Sequence, residues 1–168
     1  MNTKSKGFTL IELLVVVAII GVLSTVVLAS LSSTKTKALE AHYKQDMNAM
    51  RKTLEIYRLD NGTYPVVSFW LGIARNFGSK TTSGPNAYIP GLVPNYILEL
   101  PAVDGSIGSS AIGYAYRGGS TGYKFIFHQP DKLNLSLPLI GDNLYDNQRP
   151  TWSWQICAED VPGTWCNL

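Results

Sequence analysis

Charge is what this sequence has least of. Only 15% of its 168 residues are Asp, Glu, Lys or Arg, and none of these falls between Leu13 and Thr34. There is no basic block, which argues against nucleic acid as a partner. Histidine is nearly absent, with His42 and His128 alone, and neither has a Ser, Cys or carboxylate at the spacing of a catalytic motif. No paired acid and base and no phosphate-binding glycine loop stands out, so nothing nominates an enzyme or a cofactor. Cysteine is limited to Cys157 and Cys166. Two thiols with no nearby His are too few ligands for a structural metal.

The apolar residues are concentrated in one place. From Leu13 to Leu31 nearly every side chain is apolar, and a charge-free run of this length suits one helical crossing of a bilayer. Three readings compete for residues 1–35. A cleaved secretory signal has a basic start (Lys4, Lys6) and small residues near Ser30, but its apolar region should be shorter, about 7–15 residues. A plain signal anchor fits the length. The third is a leader cut before the apolar helix begins. Glu12 bears on the last two, because a carboxylate in an apolar span costs roughly 2.5–3.5 kcal/mol at mid-bilayer.

The run Gly7-Phe8-Thr9-Leu10-Ile11-Glu12, continued by Leu13-Leu14-Val15-Val16-Val17-Ala18-Ile19-Ile20-Gly21, resembles the N-terminal motif of the type IV pilin and type II secretion pseudopilin family. The resemblance implies cleavage after Gly7 by a membrane peptidase, N-methylation of the new terminus at Phe8 by the same enzyme, and pairing of Glu12 with an N-terminal amine during assembly. It also implies an inner-membrane assembly platform and other copies of the chain as partners. The expected location is the cytoplasmic membrane, single-pass with the N-terminus inside, and then a periplasmic or extracellular filament. Physical reasoning supports a register role for Glu12. An unpaired charge in a low-dielectric helix bundle is costly, and a neighbour's ammonium offsets much of that only at one stagger. The cut removes Lys4 and Lys6, leaving 12 basic against 12 acidic side chains.

One departure stands out. Many pilins carry a helix-breaking proline eight positions after the glycine matching Gly21, and here that position is Ala29. Gly21 remains as the weak point of the helix, at a cost of about 1 kcal/mol against about 3 for proline. Pseudopilins often lack this proline as well.

Beyond the span, Leu39, Tyr43, Met47, Met50, Leu54 and Tyr57 recur at steps of three and four, the stripe of an amphipathic helix with one face in a core. Asn61-Gly62 supplies the stop. The run Asp60-Asn61-Gly62-Thr63-Tyr64-Pro65 again resembles the family at the same place. Asn61 and Asn134 sit in glycosylation patterns, but Asn61 reads as a helix-end residue. The domains expected are a leader at 1–7, a membrane and filament-core helix at 8–34, an amphipathic helix half at 35–60, and a loop region with a β-sheet head at 61–168.

Within the head, a short helix is expected near 69–77. Residues 113–117 and 123–128 flank a Gly-rich turn and predict a β-hairpin, and 135–140 and 152–157 are weaker strand candidates. The fold expected is therefore α+β, a long N-terminal helix, membrane-spanning in its first half, on a small antiparallel sheet of three to four strands. An exported head makes Cys157 and Cys166 a disulfide pair, closing a C-terminal loop that in pilins often lies on the filament surface. Asp142 and Asp146, with Asn143 and Asn147, read as a solvated loop rather than a calcium site. Trp70, Trp152, Trp154 and Trp165 read as buried aromatics rather than a sugar-binding face. The function expected is a type IV pilus subunit, the alternatives being a secretion pseudopilin and, further off, a filament-tip adhesin.

Overall fold

A computed structural model of the chain describes residues 7–78, 81–103, 112–139 and 141–158. It divides into two compact units, 1–38 and 39–168. Helix α1 spans Leu10–Asn61. In the first unit the described apolar side chains are exposed: Leu10 is 77% and Leu31 63% exposed. Two hydroxyls in this stretch bond back to the helix: Ser24 Oγ donates to the Ile20 carbonyl at 2.7 Å and Thr25 Oγ1 to that of Val22 at 2.8 Å, which spares those donors on an apolar surface.

In the second unit the remainder of α1 packs on a four-stranded antiparallel sheet, ordered β1 (Val67–Gly72), β2 (Gly113–Gly118), β3 (Tyr123–His128) and β4 (Ser153–Cys157). This is the α+β arrangement expected. The helix stripe is the core face: Tyr43, Met47, Met50 and Leu54 are buried, and Leu39 and Tyr57 pack at its margin. They meet Tyr114, Phe125, Phe127 and Trp154 from alternate positions of three strands, as a pleated strand requires. Tyr43 and Phe127 lie 4.7 Å apart by ring centroids, and Phe127 and Trp154 5.4 Å. Full burial of such side chains contributes about 1.5–3 kcal/mol each, and the cluster is the main source of the head's stability. The helix ends where Asn61-Gly62 predicts. Gly62 adopts φ +74° and its N–H donates to the Arg58 carbonyl at 2.8 Å.

Two expectations for the head fail. No α-helix forms at 69–77; residues 67–72 are β1, and only a 3-10 turn, Arg75–Phe77, follows. The aromatic run Phe69-Trp70-Leu71 suits a strand, and β1 pairs β2 with a register shift between Val67 and Leu71. Its far end crosses β2 so closely that a Cβ on Gly72 would strike the Tyr114 carbonyl. The second failure is 135–140. Residues 135–139 form no strand, because Pro138 has no N–H to offer a ladder and the Ser136 carbonyl is taken by the Trp154 indole at 3.0 Å. Ile140 lies outside the described residues.

Candidate functional site

The start of α1 is built around Glu12. Thr9 is the residue before the helix, and its N–H and hydroxyl both donate to Glu12 Oε2, at 2.8 and 2.7 Å. The Glu12 N–H returns a bond to Thr9 Oγ1 at 3.3 Å. This reciprocal pattern is a capping box, which satisfies amides that no helical carbonyl can reach. A carboxylate at this end also complements the positive end of the helix dipole. Glu12 is therefore held by its own chain before any partner arrives. Thr9 is the residue that reasoning from the sequence passed over, although the Thr-x-x-Glu spacing was there to be read.

Gly7 and Phe8 precede the helix in non-helical backbone, and Phe8 is 83% exposed. The bond between them is thus outside any regular structure. The leader before Gly7 lies outside the described residues. α1 runs through Gly21 without a break. Among the described residues it is the one helix long and apolar enough to cross a membrane.

Other expected sites resolve differently. Asp146 is not solvated: it is fully buried and forms an ion pair with Lys124 Nζ at 2.9 Å. It also accepts from the Ser153 hydroxyl and from the Gln148 N–H at 3.1 Å. Lys124 Nζ in turn donates to Gln148 Oε1 at 3.2 Å. Burial holds the Lys124 pKa below the usual lysine range, and the Asp146 carboxylate opposes that shift. Lys124, Ile126 and His128 alternate with the helix-facing residues of β3, and all three are buried. The segment around Asp146 thus covers the sheet face turned away from α1. It also meets the edge of β4, where Leu144 accepts from the Gln155 N–H at 2.9 Å. Asp142 stays exposed and accepts from the Leu144 N–H at 3.3 Å. No group of three or more metal-ligating residues occurs among the described residues.

The tryptophans separate. Trp154 is buried, Trp152 is 37% exposed, Trp70 is intermediate, and Trp165 lies outside the described residues. Only Trp154 meets the expectation of a buried aromatic. The Arg149 guanidinium sits 5.1 Å from the Trp70 ring and 5.4 Å from the Trp152 ring. His128 is buried against Phe77 and Trp152, while the His42 side chain is 61% exposed and stands 3.8 Å from Asp46. Cys157 closes β4 and is not a free thiol. Its expected partner, Cys166, lies outside the described residues.

Asp46 is a partly buried carboxylate on the helix face toward the sheet, bonded to Tyr114. Burial raises its pKa, against the Tyr114 hydroxyl bonded at 2.8 Å and the nearby His42. Tyr114 is itself pushed well above the usual tyrosine range, first by burial and then by Asp46. The side chain of Glu99 shares a small cavity of about 90 Å³ with Asp46.

Residues 2–28 match the prokaryotic N-terminal methylation motif. The chain thus joins this N-terminal motif to a long apolar helix and a small α+β head. The chain is 42% identical over 104 residues to type II secretion system core protein G of Escherichia coli K12, covering 59% of this chain and 66% of that one. It is 39% identical over 103 residues to the core protein G of Dickeya chrysanthemi (60% and 63%), and 36% over 98 residues to that of Vibrio cholerae (58% and 64%). Motif and relatives match the chain to the type IV pilin and pseudopilin family. The chain spans slightly less than two thirds of the length of these curated relatives. No solved structure gives a significant match.

Proposed function

We propose that this chain is a pseudopilin of a type II secretion system, a structural subunit without catalytic activity that polymerises through α1. The observation that carries this reading is the reach of the likeness to core protein G. Aligned stretches of about 100 residues cannot be contained in a motif that ends at residue 28. The likeness therefore extends past the helix start shared with pilus subunits, and it favours secretion over the pilus reading. The missing proline at Ala29 points the same way. A filament-tip adhesin has little support, since the Arg149 guanidinium already lies against the Trp70 and Trp152 rings.

In this reading a peptidase cuts after Gly7 and methylates the amine of Phe8. The subunit waits in the cytoplasmic membrane with its head on the far side, and an inner-membrane platform feeds it into a filament. The exposed apolar side chains of residues 10–31 then exchange lipid for neighbouring helices. Glu12 exchanges one partner for another: it gives up Thr9 and takes an N-terminal ammonium, so the carboxylate is never left bare. Because an unpaired buried charge costs several kcal/mol, that exchange favours a single stagger between helices.

The test is mass spectrometry of the mature chain together with complementation of a secretion strain lacking its core protein G. An N-methylated Phe8 and restored export of the secreted enzymes are expected. An intact Met1 or a terminus near Ser30 would end the pilin-type assignment. Correct processing with pilus formation and no effect on export would move the chain to the pilus reading.

A further inference from the structure

Between Glu12 and Glu40 the chain holds no acidic residue, and its only charges there are Lys35 and Lys37. Both lysines are exposed on α1. Glu40, three residues past Lys37, is already engaged: Lys44 Nζ stands 2.8 Å from its Oε1, and the Ser136 N–H lies 3.5 Å from its Oε2. Among the described residues neither Lys35 nor Lys37 has an ion-pair partner. The basic side chains further along α1 differ in this respect, since Lys44 is paired with Glu40 and Arg51 reaches the Asn143 carbonyl at 3.4 Å. Around the two lysines the apolar run gives way to hydroxyls. Thr34 Oγ1 donates to the Ser30 carbonyl at 2.9 Å and Thr36 Oγ1 to that of Ser32 at 3.2 Å. Those donors are spent on the helix, which leaves the ammonium groups as the charged donors of this band.

Position along the helix says what they meet. From Leu13 to Thr34 α1 climbs about 33 Å at roughly 1.5 Å per residue, close to the ~30 Å hydrocarbon thickness of a bilayer. Glu12 and Lys35 therefore reach the two headgroup layers together. A slide of one turn, about 5.4 Å, would carry Glu12 into hydrocarbon in one direction and Lys35 in the other, and either charge is costly there. In the layer that holds the lysines the abundant anion is the lipid phosphate, a fitting acceptor for a compact ammonium on a flexible stem. Residues two apart do not share a helix face, so Lys35 and Lys37 cannot grip one phosphate. Each needs its own.

We propose that Lys35 and Lys37 each bind the phosphate of an anionic phospholipid on the side of the membrane where the head stands, a two-lipid collar that fixes the depth of α1. This rests on the membrane reading above. The test reconstitutes the full-length chain in vesicles of equal phosphatidylcholine and phosphatidylglycerol with matched acyl chains, then counts retained lipids by native mass spectrometry. The unsubstituted chain is expected to keep two phosphatidylglycerols, preferred over phosphatidylcholine by about fivefold per lysine, the equivalent of the ~1 kcal/mol a basic side chain gains at an anionic surface. Lys35→Gln and Lys37→Gln should each keep one, and the double variant should show no preference. Lys44→Gln should keep two. Equal retention of both lipids by the unsubstituted chain would overturn the collar, as would a preference that survives the double variant. Loss of both lipids from either single variant would overturn the two separate contacts. A chain that alkaline washing strips from the vesicles would end the membrane reading and this proposal with it, whereas stable insertion without lipid preference ends the proposal alone.

Discussion

The two units of this molecule treat burial in opposite ways. Residues 10–31 leave Leu, Ile and Val side chains open, many of them more than half exposed, and their one carboxylate is tied to a neighbouring threonine. The head buries a lysine and an aspartate completely and joins them in its interior. The difference teaches where each unit expects its partners. Exposed apolar surface on this scale is a demand for lipid or for other helices. A buried ion pair of this kind finds its partners within the head: Asp146 also accepts from Ser153 and Gln148.

That contrast can be broken from either side. Glu12→Ala is expected to abolish filament assembly, at least tenfold by electron microscopy, with leader cleavage intact by mass spectrometry and the head's unfolding midpoint unchanged. Normal filaments would remove the register role of Glu12. In the head, Lys124→Met should strip buried Asp146 of its nearest cation and leave it only Arg149 Nη1 at 3.7 Å, at a cost of up to about 3–5 kcal/mol, measured by denaturant unfolding of the detergent-solubilised chain. Lys124→Met with Asp146→Leu should recover most of that loss. A double variant as weak as the single would mean that packing, not the stranded charge, is responsible. Replacing Cys157 and Cys166 with Ser should cost about 2.5–3 kcal/mol by the chain-entropy model, read in the same unfolding experiment, and reductant should affect only the unsubstituted chain.

Smaller effects sharpen the comparison further. Thr9→Ala removes a cap worth about 1 kcal/mol and should slow or thin assembly while leaving the head untouched. Circular dichroism of a peptide covering the first turns would detect the fraying directly. Asp46→Asn should stabilise the head by less than about 1 kcal/mol, since the charge is still partly reached by water and screened. The sign follows from its raised pKa, whose first cause is burial. The folded state holds this proton more tightly than the unfolded chain, so stability falls as pH rises from the ordinary aspartate range, about 3.9, through the raised folded value. The side chains of His42, Tyr114 and Tyr88 lie near the same carboxylate, and Glu99 lines a cavity with it. Asp46→Asn should gain its advantage above that window and lose it below. A variant equal to the parent at neutral pH would show that Tyr114 already compensates the charge.

Periodic parts of this fold were readable because each residue reports on the next. The stripe from Leu39 to Tyr57 gave the core face of α1, and two alternating runs around a glycine turn gave β2 and β3. β1 was misread because Phe69-Trp70-Leu71 is too short for a period and its pairing with β2 lies more than forty residues away in sequence. Residues 135–140 looked like a strand by composition, and Pro138 should have counted against it. The ion pair of Lys124 and Asp146 had no local trace: one is a strand residue, the other sits in an Asn- and Asp-rich loop, and only the tertiary fold brings them together. At the functional end the motif named Gly7, Phe8 and Glu12 at once. Thr9 is a different case, since its role is local and its signal is no more than the short Thr-x-x-Glu spacing.

The cover that Asp146 secures over the far face of the sheet has an evolutionary consequence. All three outward residues of β3 are shielded by it, so the surface shown to the surroundings is made of loop positions such as Gly141, Asn143 and Asn147. Substitutions there change what the subunit displays without altering a strand. The same sheet can therefore carry a different outer surface, so long as Lys124 and Asp146 stay together.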